Sequence, residues 1–223
     1  MRLFAKLFAA ATIAATSVSA PALAGESEKG FYATVGAGVT MPQDTDSDAT
    51  VLGTKFTGDY ENDGGFFGEI GIGYNFGNDL RTEFTYANGS VESDKVKICG
   101  SSCVDVDLSG ADSTVESFMV SLYKDFQTKG KFTPFIGAGI GFSEVETEAA
   151  TATIGGTTVN LESGSESGLF SYSVAVGTSY EISDSTDIYG KLTYFGTEDY
   201  SVGIENVDGL GSFVFNLGAR FSF

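Results

Sequence analysis

The sequence contains no histidine and no tryptophan, and only two cysteines and three prolines. Without histidine, the commonest general base and the commonest metal ligand are both missing. Two sulfurs cannot complete a zinc site without further ligands. Positive charge is scarce too: 12 Lys and Arg stand against 30 Asp and Glu, a formal net charge of −18. A phosphate-binding surface needs the opposite sign, so nucleic acid is not expected as a partner. Long apolar runs are absent after the first two dozen residues, where nothing approaches the ~20 apolar residues of a spanning helix.

Those first residues, MRLFAKLFAAATIAATSVSAPALA, form a separate unit. Arg2 and Lys6 precede an apolar stretch from Leu7 to Val18, and Ala22-Leu23-Ala24 follows. A basic start, a short apolar middle and an A-x-A site read as a secretory signal peptide, residues 1–24, cleaved after Ala24. Residues 25–223 then form one exported domain, two charges more negative than the full chain. Such a chain either dissolves or enters a membrane as strands.

Glycine and aromatics are plentiful, at 30 Gly, 19 Phe and 10 Tyr. They fall into eight alternating segments: Gly30–Thr40, Gly65–Phe76, Leu80–Val91, Ser113–Phe126, Lys131–Glu144, Gly168–Ile182, Asp187–Thr197 and Gly209–Phe223. The last of them ends Phe213, Phe215, Leu217, Ala219, Phe221, Phe223 on every second position. Successive side chains of a strand point to opposite faces, so each segment has one greasy side and one small or polar side. The connections after the second, fourth and sixth segments are tight (GND, QTKG, SDST). Gly, Asn, Asp and Ser in such clusters make hairpin turns. The other connections are long and acidic. An even number of strands with short turns at one end and long loops at the other predicts an all-β fold. The expected architecture is an eight-stranded antiparallel up-and-down transmembrane β-barrel, with short periplasmic turns and long extracellular loops.

Alternation alone does not say which face meets water, because a soluble lipocalin-like barrel also alternates. The second face carries Gly36, Gly38, Gly71, Gly73, Gly137, Gly139, Gly141, Gly177 and Gly218. Small residues suit the cramped inside of an eight-strand barrel, whereas on a soluble surface they would weaken the strands. Glu69, Arg81, Glu83, Glu181, Lys191 and Arg220 share the parity of these glycines. Buried charges need partners, and a mixed-sign layer in the lumen would supply them. The greasy face ends in Phe and Tyr, as at the two interfaces of a bilayer.

GFYATVGAGVT, YKDF before a tight turn, FTPFIGAGIGF after it and a last strand ending in Phe223 resemble small bacterial outer-membrane β-barrel proteins of the opacity and surface-antigen type. These are similar in fold to the membrane domain of outer membrane protein A. The resemblance covers the whole mature chain. It implies location in the cell outer membrane, surrounded by lipid and lipopolysaccharide, and a role for Phe223 as the signal read by the barrel assembly machinery. The chain is expected to be a monomer that contacts a host or cell-surface ligand through its acidic extracellular loops, since loops on a rigid scaffold are the usual place for such contacts.

Chemistry beyond recognition finds little support. Barrel acyltransferases, phospholipases and proteases of this membrane rely on a histidine. Glu69 and Glu83 could pair as carboxylates, but no nucleophile stands beside a base. GAGIG at Gly137–Gly141 departs from the dinucleotide fingerprint and no helix follows it. DTDSD at Asp44–Asp48 opens like a calcium loop, but Ala49 and Lys55 replace the required Gly and Glu. No cofactor and no metal is therefore expected, although a loose divalent cation in an acidic loop is physically reasonable. Cys99 and Cys103, in CGSSC, are expected to form a local disulfide in an oxidising exported setting. Two readings stand beside that of a surface protein: a small porin, if the lumen is open, and a soluble exported barrel that binds an apolar ligand.

Overall fold

The computed structural model describes residues 29–51, 54–99, 103–154, 157–202 and 205–223. The signal peptide expected over residues 1–24 lies outside them. The described residues contain no helix. They form fourteen strands: β1 (Gly30–Pro42), β2 (Thr45–Val51), β3 (Thr54–Asn75), β4 (Leu80–Cys99), β5 (Cys103–Ser109), β6 (Asp112–Asp125), β7 (Phe132–Thr147), β8 (Ala150–Ile154), β9 (Thr157–Leu161), β10 (Gly164–Ser183), β11 (Thr186–Thr197), β12 (Tyr200–Val202), β13 (Glu205–Val207) and β14 (Gly211–Ser222).

Eight of these close into a barrel. Each of β3, β1, β14, β11, β10, β7, β6 and β4 pairs with the next in that order, and β4 pairs with β3 to complete the ring. Every pairing is antiparallel. Closure leaves no free edge in the ring, which a hydrocarbon solvent without hydrogen-bond partners requires. The eight alternating segments of the sequence correspond to these eight strands.

The short connections lie together at one end. Ser183 pairs with Thr186 across a two-residue turn. In the turn after β3, Gly77 and Asp79 both adopt positive φ, and Asn75 accepts a hydrogen bond from the Gly77 N–H at 2.9 Å. Asn and Asp tolerate that region better than other non-glycine residues.

The outward face is apolar. Ile72, Phe142 and Leu217 are each at least 60% exposed, a burial pattern opposite to that of a water-soluble barrel. Ring pairs gather near both ends of the belt. Phe31–Tyr74 and Phe132–Tyr180 lie toward the turns, with centroids 5.0 and 4.8 Å apart. Tyr86–Phe118 and Tyr194–Phe213 lie toward the loops, at 5.1 and 5.2 Å. The lipocalin-like reading fails here, because its greasy face would point inward.

The loop end differs from the expectation of irregular acidic segments. Strand β3 runs for 22 residues and β4 for 20, well beyond the alternating segments Gly65–Phe76 and Leu80–Val91. The six remaining strands extend the sheet on both sides, in the order β12-β13-β2-β3 and β4-β5-β8-β9. Period-two alternation continues in KVKIC and CVDVDLS, masked by their charge. One face of this ribbon packs Val96, Val106, Leu108, Ala111, Ala150 and Ala152 into a small core. On the other face, Lys95 and Lys97 are register partners of Asp107 and Asp105. Opposite charges across a strand pair favour this register. Asp46 and Asp48 sit in the extended ladder of β2, which is not the turning backbone of a calcium loop.

Candidate functional site

The turn-side half of the lumen is filled. Alternation along β3 and β11 sends Glu69 and Lys191 inward from strands separated by β1 and β14. Lys191 Nζ donates to both oxygens of Glu69, at 3.0 and 3.1 Å. The same carboxylate accepts from Tyr189 Oη at 2.8 Å and from Asn216 Nδ2 at 2.7 Å. Four hydrogen bonds compensate its removal from water.

Toward the turns lies a second group. Arg81 Nε donates to both oxygens of Asp125 at 3.1 Å, and Arg81 Nη1 donates to Tyr32 Oη at 3.3 Å. Glu83 lies 3.7 Å from Arg81 Nη1 and accepts from Thr85 Oγ1 at 3.1 Å. The guanidinium carbon is 4.1 Å from the Tyr123 ring centroid and 4.8 Å from that of Phe135. Aromatic faces attract a cation through their quadrupole, and the attraction strengthens where water is excluded. Below this group Arg220 donates from Nε and Nη2 to Asp187 Oδ2, at 2.9 and 2.6 Å.

Of the six charges expected to line the lumen, Glu69, Arg81, Glu83 and Lys191 are buried in the interior. Arg220 is partly buried near the turns. Glu181 is a correction. It has the right parity but is exposed at the turn-side rim, beside the register shift between Glu181 and Ser183. Asp125 and Asp187 supply the acidic partners instead. Tyr32, Tyr123, Phe135, Tyr189 and Asn216 are buried beside these charges and complete the interior. Each shares the parity of an interior glycine or serine on its own or a paired strand, which is the signal that finds them.

The interior glycines make room for these rings. Tyr32 pairs in register with Gly73, Tyr123 with Gly137, Phe135 with Gly177 and Tyr189 with Gly218. At each of the four glycines, a Cβ would overlap the paired ring.

The loop-side half is open. A cavity of about 590 Å³ rests on Glu69, Lys191 and Tyr123 and opens among the loops. Within the filled half, a space of about 10 Å³ remains beside Arg81, Tyr123 and Phe135. Cys99 and Cys103 form a disulfide between β4 and β5, with Cα atoms 4.0 Å apart. Phe223 is exposed on the outward side, and its N–H donates to Phe31 O at 3.0 Å.

Residues 10–221 match the model of the outer membrane protein beta-barrel domain. The chain belongs to that family. Location in the outer membrane follows. An outer membrane protein of Gluconacetobacter diazotrophicus is 29% identical over 82% of this chain, and the match spans 49% of that protein. The barrel thus spans about half the length of that relative. A Rickettsia canadensis protein whose name proposes an adhesin is 28% identical over 96% of this chain and 92% of its own length. The crystal structure of the outer membrane protein OprG from Pseudomonas aeruginosa superposes with a TM-score of 0.55 at 15% identity, covering 87% of this chain and 96% of that one. The likeness to OprG is one of fold. For this outer-membrane barrel the family accounts for the ring of strands and the lipid-facing belt. The buried charge pairs and the ribbon core are read from the chain's own residues.

Proposed function

We infer that this barrel is a surface recognition protein whose loop-side ribbons contact a ligand on another cell. The observation that carries this reading is the apolar core of Val96, Val106, Leu108, Ala111, Ala150 and Ala152. A loop region with its own core holds a fixed surface, and less ordering entropy is lost on binding. Contacts made by loops on a rigid scaffold are the usual route to such a role. Exposed Asp59, Asp105 and Asp107 alternate with Lys95 and Lys97 on the other face of the ribbon, a patterned charged surface that can select a partner of complementary pattern. The adhesin proposed by the name of the Rickettsia canadensis relative points the same way.

The reading includes no catalysis. Glu69 is held by four hydrogen bonds and Glu83 by Arg81 and Thr85, so neither is free to serve as a base. It includes export by residues 1–24, a monomer in lipid and lipopolysaccharide, and recognition of Phe223 by the barrel assembly machinery. These rest on the sequence and on the resemblance.

The test is Val106→Asp, which places a charge in the ribbon core while leaving the ring of strands untouched. Cells displaying this variant at equal surface level, with the heat-dependent gel migration of a folded barrel, should lose adhesion to host cells. Adhesion equal to wild type would overturn the reading.

A further inference from the structure

We propose that the loop-side cavity is a binding site for a small amphiphile with an apolar body and a cationic amine head. The inference goes beyond cell recognition by the ribbons, because the ligand is a small molecule held in a cavity that runs from the lumen up to Leu108, Ala111 and Ala150 of the ribbon core.

The cavity has a floor. Glu69, Lys191 and Tyr123 close it toward the turns, so a molecule that enters must leave by the same mouth. A volume of about 590 Å³ lies in the middle of the range of small-molecule sites, roughly 300–1,000 Å³. The walls combine Met119, Val115, Ala87 and Val214 with hydroxyls of Ser117 and Thr85. An apolar body with few polar groups suits them. Methionine adapts its shape to the molecule beside it.

Charge decides the head group. Among the described residues Lys191 is the only cation lining the cavity, and both oxygens of Glu69 engage it. The floor therefore offers no net charge to a ligand. Among the described residues the other charged lining side chains are Glu148, Glu162 and Glu166, all on the loop side of the ring, with Glu148 and Glu162 exposed. An amine placed there meets carboxylates while its tail fills the cup. A fatty carboxylate would meet like charges at the mouth.

Methionine supplies the readout. Met119 is buried on the cavity wall, whereas Met41 is exposed on the outward belt. The mature protein in lipid nanodiscs, labelled with ¹³C at the methionine methyls, is titrated with octylamine and with octanoate. Octylamine should shift the Met119 methyl saturably, and octanoate should need about tenfold more for half the effect, a difference of ~1.4 kcal/mol. Met41 should report only partition into the bilayer.

Ser117→Phe fills the cup and should abolish the saturable Met119 shift while leaving the Met41 response. The triple variant Glu148→Gln, Glu162→Gln, Glu166→Gln leaves the barrel walls intact, so it remains informative if Ser117→Phe does not fold. It should erase the preference for the amine. No saturable Met119 shift in wild type, or equal potency of octylamine and octanoate, would overturn the proposal. Adhesion by the ribbons can persist in either case.

Discussion

Tyr123 on β6 and Gly137 on β7 are register partners, and the tyrosine ring occupies the space where a Cβ of residue 137 would stand. The ring in turn carries the Arg81 guanidinium on its face, 4.1 Å from the centroid. The glycine is therefore one end of a chain of contacts that reaches the ion pair with Asp125. Gly137→Val should push the ring away and weaken that pair. Overpacking of this kind costs ~1–3 kcal/mol. The midpoint temperature of the gel-mobility shift should fall. Gly130→Ala, in a turn with only Thr128 Oγ1 near the added atom, at 4.0 Å, should leave it unchanged.

The pair of Glu69 and Lys191 gives a prediction with two arms. Lys191→Met leaves a carboxylate deep in the barrel without its cation. Breaking a buried pair from one side costs ~3–5 kcal/mol. Adding Glu69→Leu to Lys191→Met removes the orphaned charge, so the double variant should regain most of the loss. Urea unfolding of the barrel in lipid measures both. If the double variant were no more stable than Lys191→Met, the lost stability would not come from the uncompensated charge.

The sequence reveals the face of each residue but not its height. Period-two alternation assigns Glu69, Arg81, Glu83 and Lys191 to the inside. It cannot tell that Glu69 meets Lys191, because β1 and β14 lie between their strands and the stagger of the sheet sets who is level with whom. Glu181 fails for the same reason: its parity is right and its level is below the lumen. Asp125 was hidden because KDF reads as the approach to a turn. The ribbons were hidden by composition. Lys95, Asp105 and Asp107 look like loop residues until Val96, Val106 and Leu108 between them are seen to share one face.

The disulfide should matter to the ribbon and little to the barrel. Cys99 and Cys103 are separated by four positions, and closing so short a loop removes little chain entropy. Cys99→Ser with Cys103→Ser should leave the heat-shift midpoint of the barrel where it was. Limited proteolysis of intact cells should cut the ribbon faster in that variant. A large fall in the barrel midpoint would mean that the ribbon and the ring unfold together.

The filled half of the lumen bears on passage. The space among Arg81, Glu83, Tyr123, Phe135, Tyr189, Lys191 and Arg220 is about 10 Å³, room for no more than about one water. A hydrated ion cannot cross such a layer without breaking its pairs. Wild-type protein in planar bilayers should therefore show no resolved conductance steps. Tyr123→Ala with Arg81→Ala removes the ring and the guanidinium that stacks on it, and joins the loop-side cavity to the space beneath. That variant should conduct, and its steps should favour cations, since Glu69, Glu83 and Asp125 remain while one buried positive charge is gone. Steps of similar size in wild type would show that the ion pairs part on the timescale of the recording, and the small-porin reading would replace that of a closed anchor.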